Sequence, residues 1–194
     1  MAKLAIKGGN KVRTKGFFTW PDYDQRELNY VKEVIKSRTW FAGMRGADPG
    51  TKTEQFEKKF AQYHNANYGI ACANGTVAIE IALRAAGIGA GDEVIAPALT
   101  FIATISAALA VNAIPILVDT IYDTQCISPD EIEKAITNKT KAIIPVHYGG
   151  FVCDMDRIIE IARRGNLIVI ADAAHAHGAV YKGRKLGSFS DRDA

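Results

Sequence analysis

The sequence is short of the residues that build metal centres and disulfide frameworks. Its 194 residues hold three cysteines and four histidines. Cys72, Cys126 and Cys153 are odd in number, far apart and without a C-x-x-C pair. That argues against a zinc knuckle or a disulfide scaffold and suits a reducing cytoplasm. No apolar run is long enough to span a bilayer, and the first residues lack the apolar core of a secretory signal. A charge of one sign is missing too. The 24 Lys and Arg residues face 21 Asp and Glu, too even a balance for a nucleic-acid surface. Much of the basic excess (Lys3, Lys7, Lys11, Arg13, Lys15) lies in residues 1–15, expected to be a mobile arm ahead of a domain over 16–194. A dinucleotide-binding glycine fingerprint is also absent. Gly87, Gly89 and Gly91 follow a helical stretch and precede a strand, the reverse of the required order, so they read as a helix stop and turn. This argues against a nicotinamide-type oxidoreductase.

What is present is alternation. Leu28, Val31, Val34 and Ile35 have helical spacing, as do Phe56, Phe60 and Tyr63. Between them "GMRGADPGTK" reads as a loop. From Tyr68 the pattern becomes strand then helix, repeated: "YGIACA" and "GTVAIEIALRAAGI", "DEVIAPA" and "TFIATISAALAVNA", "IPILVD" and "SPDEIEKAI", "KAIIPVH" and "DMDRIIEIARRGN", then "LIVIAD". Ser128 before Pro129, Asp130 and Glu131 is a helix start. "AVYKGRKLGSF" reads as a hairpin. The expected fold is α/β with three layers, a mostly parallel sheet covered by helices on both faces. In such sheets ligands gather at the C-terminal strand ends.

Each strand end therefore bears reading. Asn74, Gly75 and Thr76 stand between a strand and a helix, where free amides and the helix dipole suit an anion such as phosphate; a plain capped turn is the competing reading. Phe101 opens a helix after a strand and could stack on a planar ligand, or belong to the core. His147 and Tyr148 end a third strand; a satisfied, half-buried His competes with substrate contact. Asp172 follows an apolar strand, with His175 and His177 close behind. A buried carboxylate needs a cation or several donors, and a protonated pyridine nitrogen would be such a cation. Metal ligation by Asp172, His175 and His177 would need more ligands than His64 and His147 supply. A cap at Asp172 with solvated histidines is the remaining alternative.

Taken together, "NGT" with its helix, "GDEVIAPALTFIAT", "TKAIIPVHYGG" and "DAAHAHGAVYKGRKLGSF" resemble the DegT/StrS family of pyridoxal-phosphate sugar aminotransferases, fold type I, over about residues 16–194. "FFTWPDYD" resembles the branch with aminohydroxybenzoate synthase and aminocyclitol transaminases. The resemblance implies that Gly75 and Thr76 hold the cofactor phosphate, Phe101 stacks on its ring, Asp172 meets the ring nitrogen and His175 lies near the ring oxygen. Trp40, Phe41 and Gly43 would line the substrate mouth, and His147 is a further substrate candidate. It also implies an amino donor such as glutamate or glutamine, a keto sugar nucleotide or cyclitol-like acceptor, ping-pong chemistry and a cytoplasmic homodimer.

The family's cofactor-attaching lysine follows the "GSF" stretch in a Ser-Phe-x-x-x-Lys motif and is expected beyond Ala194, with the small C-terminal domain. Lys182 and Lys185 do not match it. These 194 residues alone are therefore expected to lack transaminase activity and to leave an apolar sheet edge that favours association. A same-family dehydratase and a non-catalytic cofactor-fold fragment are the rival readings.

Overall fold

A computed structural model describes residues 3–40 and 51–188. The backbone divides into two units, Met1–Lys52 and Thr53–Ala194. In the first, Asp24 opens helix α1 (Gln25–Ser37). Its carboxylate accepts from the Arg26 amide at 2.7 Å, and Glu27 accepts from the Asp24 amide at 2.8 Å. These bonds satisfy helix-start donors that have no partner inside the helix. The apolar stripe of Leu28, Val31 and Ile35 forms as its spacing predicts, yet no residue of α1 is buried.

The second unit carries the alternation. Strands β1 (Glu93–Pro97), β2 (Ile114–Val118), β3 (Thr140–Ile143) and β4 (Ile168–Val169) form one parallel sheet in the order β2-β1-β3-β4. Helices α3 (Gly75–Ala85), α4 (Ile102–Ala110), α5 (Pro129–Ala135) and α6 (Met155–Gly165) cover it. Side chains on a strand point alternately to opposite faces, and the core splits accordingly. Val94, Ala96, Ala142 and Ile144 pack with Ile79 and Leu83 of α3 and Ala107 and Ala108 of α4. Ile95, Ile143 and Val118 pack with Ile132 of α5 and Ile158, Ile161 and Ala162 of α6. Full burial of Leu83, Ile143 or Ile158 stabilises by about 1.5–3 kcal/mol each.

The sequence's stop and start signals act as expected. Asn74 accepts from the Val77 amide at 3.0 Å and Ser128 from the Glu131 amide at 3.4 Å. Gly87 ends α3 with φ +75°, where a side chain would be strained. Lys182 and Gly183, both at positive φ, turn the hairpin between β5 (Val180–Tyr181) and β6 (Arg184–Lys185). Helix α2 (Lys52–His64) opens at the unit boundary, and its end packs on this hairpin. There the His64 Nδ1–H donates to the Leu186 carbonyl at 2.7 Å, and Lys185 Nζ donates to the Tyr63 carbonyl at 2.6 Å.

Two expectations fail in detail. "YGIACA" forms no strand: no described strand lies beside it, and Tyr68 and Ile70 stay exposed. A strand is a ladder between neighbours, so an apolar pattern without a neighbour does not become one. The "LIVIAD" strand is short, with ladder pairing only at Ile168 and Val169; a single parallel bridge, Val146 to Asp172, then carries the pairing to the sheet's end.

Candidate functional site

That bridge builds the site. The Asp172 amide donates to the Pro145 carbonyl at 2.9 Å, and the His147 amide donates to the Asp172 carbonyl at 3.1 Å. The two strand ends are thus locked together at the sheet's C-terminal edge. Asp172 lies on the same side as Ile170, facing α3 and α4. Its half-buried carboxylate accepts from the Thr104 hydroxyl at 2.9 Å through Oδ2 and from the Ala174 amide at 3.1 Å through Oδ1. Thr104 is fully buried in the first turn of α4 and lies 2.8 Å, oxygen to oxygen, from the Thr100 hydroxyl. Phe101 stands between them in sequence at the N-cap of α4, and the residue is 73% exposed. The core reading of Phe101 therefore gives way to an open aromatic at the sheet edge.

His175 is exposed. Its Nδ1 accepts the Gly149 amide at 3.2 Å, so the neutral ring carries its proton on Nε2 and offers a donor there. Gly149 presents that amide from a tight turn at φ +58°, a conformation that suits glycine. The structure thus gathers Phe101, Asp172, His175 and the Val146–Gly150 turn at one sheet end.

Gly75 and Thr76 open α3, which packs against α4 within one shared core cluster. The Asn74 side chain takes the Val77 amide. The Gly75 and Thr76 amides, as first-turn donors, have no acceptor inside the helix. Among the described residues nothing lies within 4 Å of the point where a Cβ on Gly75 would stand, so this helix start suits an anion.

His147 lies on the other face. Strand alternation from Ile143 turns it toward α5 and α6. It is fully buried, and its Nδ1 accepts the Cys153 amide at 3.1 Å. Burial holds its imidazolium form down, to a pKa of about 4, against an opposing pull from Asp172. The tautomer leaves an Nε2–H without a hydrogen-bond partner among the described residues. This burial lends no support to substrate contact. Beside it the Cys153 thiol donates to the Val146 carbonyl and the Cys126 thiol to the Phe151 carbonyl. The neighbouring Cys126 thiol, then burial, push the Cys153 thiol well up.

Trp40 belongs to the first unit, where its indole N–H donates to the Ile35 carbonyl at 3.5 Å. Phe41 and Gly43 lie outside the described residues, as does the stretch after Ser188. His177 is exposed, its ring 5.9 Å from that of Phe60. Among the described residues no group of three potential ligands gathers to hold a metal ion, and no helix is long and apolar enough to cross a membrane. Sequence reasoning missed Thr104. The available signal was a hydroxyl inside "TFIATISAALA", on a helix whose one other polar side chain is Ser106, where a buried polar group must find a partner.

Comparison with known proteins places this geometry among relatives. The model of the DegT/DnrJ/EryC1/StrS aminotransferase family matches residues 21–194. The chain is 40% identical over 192 residues to the L-glutamine:2-deoxy-scyllo-inosose aminotransferase of Streptomyces fradiae, covering 98% of this chain and 45% of that one. It is 47% identical over 171 residues to the GDP-perosamine synthase of Caulobacter vibrioides, covering 88% and 44%. Among solved structures, 3-amino-5-hydroxybenzoic acid synthase superposes with a TM-score of 0.84 at 37% identity, covering 89% of this chain and 44% of that one. NtdA of Bacillus subtilis with bound cofactor PMP gives 0.72 at 45% identity, covering 78% and 33%. The chain spans less than half the length of these relatives.

Proposed function

This chain belongs to the DegT/DnrJ/EryC1/StrS aminotransferase family, and from that premise we propose that it is part of a pyridoxal-phosphate enzyme. The enzyme moves an amino group from glutamine or glutamate to a ketone on a cyclitol or a nucleotide-linked sugar. The observation that carries the reading is the Asp172 carboxylate, fixed by Thr104 and Ala174 at the sheet end beside an exposed Phe101.

The residues fit the cofactor's chemistry. Each Asp172 oxygen accepts one donor, which leaves lone pairs for a cationic ring nitrogen. The open start of α3 suits a phosphate. When bound, pyridoxal phosphate supplies an electron sink through its protonated ring nitrogen. Asp172 would hold that proton on the nitrogen by charge. The Gly75 and Thr76 amides and the Thr76 hydroxyl would grip the phosphate. The Phe101 ring would stack on one face of the cofactor and shield it from water, and the His175 Nε2–H would donate to its ring oxygen. Trp40 and Phe41 remain candidates for the substrate side on the family resemblance. The reading extends to a cytoplasmic homodimer; the free thiols Cys72, Cys126 and Cys153 accord with that compartment.

The test uses the product of the complete gene, with pyridoxal phosphate, glutamine and a keto cyclitol or keto sugar nucleotide, followed by mass spectrometry of the acceptor. Gain of an amino group in place of the ketone is expected. The likeness to 3-amino-5-hydroxybenzoic acid synthase supplies the second reading. Loss of water from an aminated ring precursor, with no amination of either ketone, would favour it. A polypeptide of these 194 residues alone should take up the cofactor without forming a borohydride-stable lysine adduct, and should not turn over the donor.

A further inference from the structure

Thr104, which fixes the Asp172 carboxylate, is itself bonded to Thr100, and the geometry of this hydroxyl pair has one direction only. Thr104 Oγ1 lies 2.9 Å from Asp172 Oδ2 and 2.8 Å from Thr100 Oγ1. An ionised carboxylate can only accept. The single Thr104 proton therefore points at Asp172, and Thr104 must in turn accept the proton of Thr100. The hydrogens run Thr100 to Thr104 to Asp172. The other Asp172 oxygen is held by the Ala174 amide. The carboxylate is thus gripped at both oxygens, from two different elements, and its plane is fixed. Thr104 is fully buried, so no water can replace its hydroxyl. Thr100 is half-buried, and its bond polarises the Thr104 hydroxyl and strengthens the one that follows.

We propose that Thr104, supported by Thr100, is a positioning residue for the cofactor: it orients the Asp172 carboxylate toward the ring nitrogen. This rests on the cofactor reading above. It assigns α4 a second task beyond presenting Phe101. One helical turn then carries the ring-stacking group and the group that aims the acid at the ring's far edge. It also accounts for a buried hydroxyl on a helix whose other buried residues are Ala107 and Ala108.

The experiment measures pyridoxal-phosphate binding to the protein from the complete gene, by titration and by the circular dichroism that a rigidly held cofactor acquires. Thr104→Val keeps the shape and removes the hydroxyl. It should weaken binding about tenfold, as expected for one hydrogen bond to a charged group, and diminish the induced dichroism. Thr104→Ser should restore both. In an Asp172→Asn background, Thr104→Val should cause no further loss, because the group it aims is gone. Thr100→Val leaves the Thr104 bond in place and should weaken binding only about twofold; it carries the test if Thr104→Val fails to fold. Wild-type affinity and dichroism in Thr104→Val would overturn the proposal. So would a Thr104→Ser variant as impaired as the valine, losses that simply add to those of Asp172→Asn, or, where Thr104→Val does not fold, an unchanged Thr100→Val. Failure of the wild-type protein to bind the cofactor at all would instead remove the cofactor reading beneath it, an outcome seen before any variant is made.

Discussion

Asp172 and His147 are joined by a backbone hydrogen bond, yet they live in opposite chemical worlds. One strand end turns its side chain toward α4, the other toward α6. On the α4 side the group is half-buried and charged, and two donors serve its two oxygens. On the α6 side the group is fully buried and kept neutral, one nitrogen taking the Cys153 amide and the other without a partner among the described residues. The first arrangement spends donors to keep an ion ready for an opposite charge. The second uses a neutral ring to hold the turn from His147 to Cys153 in place. The strand's alternation alone makes one face of the edge the proposed ligand face and the other a core face.

The largest effect should come from breaking the ligand face. On the proposed role, Asp172→Ala would leave a cationic ring nitrogen without its partner, a loss of about 3–5 kcal/mol when one member of a buried charge pair is removed. Pyridoxal-phosphate affinity should fall by a hundredfold or more in titrations, while the thermal unfolding of the cofactor-free protein moves little. The opposite substitution sharpens the contrast: His147→Gln should leave cofactor affinity near that of wild type. Loss of affinity in His147→Gln equal to that in Asp172→Ala would mean that the two faces are not separate.

The core face should reveal itself through acid. His147 titrates at about 4 in the folded protein and near 6.5 when unfolded. Between those values the unfolded chain binds the extra proton, so stability is complete above about pH 6.5 and drains away as pH falls toward 4. At about 1.4 kcal/mol per pH unit the gap is worth roughly 3 kcal/mol. The cause is burial of the ring, and a second ring proton would also sit on Nδ1 and confront the Cys153 amide. Around the ring stand Asp172, whose charge opposes the effect, and the Cys153 thiol, which stays protonated in this range; the Cys126 thiol, pulled down to about 6 chiefly by Cys153, titrates inside it and does so in wild type and variant alike. Urea midpoints measured from pH 7 to pH 4.5 should fall more steeply for wild type than for His147→Gln, whose amide oxygen can still accept from Cys153. Parallel curves would assign the acid sensitivity to other groups.

How much of this contrast was readable beforehand follows from what each signal depends on. The strands β1, β2 and β3 were legible because each apolar run lies between turn residues and finds a partner of similar length. The places of Phe101 after β1 and of Asp172 at the end of the later strand were legible because a strand end is a position in the sequence, and that of Gly75 because Asn74 marks a helix start. The face to which His147 points was not. Its parity with Ile143 can be counted, but which helices cover that face depends on the order β2-β1-β3-β4, and no single segment contains that order. The segment 68–73 misled for the same reason: its pattern speaks of burial, while a strand needs a neighbour. Thr104 was hidden because its partner lies 68 residues away; only the cost of an unpaired buried hydroxyl pointed to it.

The smallest expected effect compares two caps, one on each layer. Asn74 caps α3 through the Val77 amide and Ser128 caps α5 through the Glu131 amide. Each bond satisfies one first-turn donor, and removing either side chain should cost about 1 kcal/mol of stability, measured as a shift of the urea midpoint. The two helices differ in what their starts face. Beside Asn74 the amides of Gly75 and Thr76 are open, whereas α5 begins with Pro129 and the acids Asp130 and Glu131, and acids repel an anion. Asn74→Ala loosens the turn that aims those amides and should weaken binding of pyridoxal phosphate about two- to threefold, in line with the loss of a few tenths to half a kcal/mol of preorganisation. Ser128→Ala should cost the same stability and leave that affinity unchanged. Equal losses of affinity in the two variants would trace the effect to general loosening of the fold, and the start of α3 would then be a capped turn like any other.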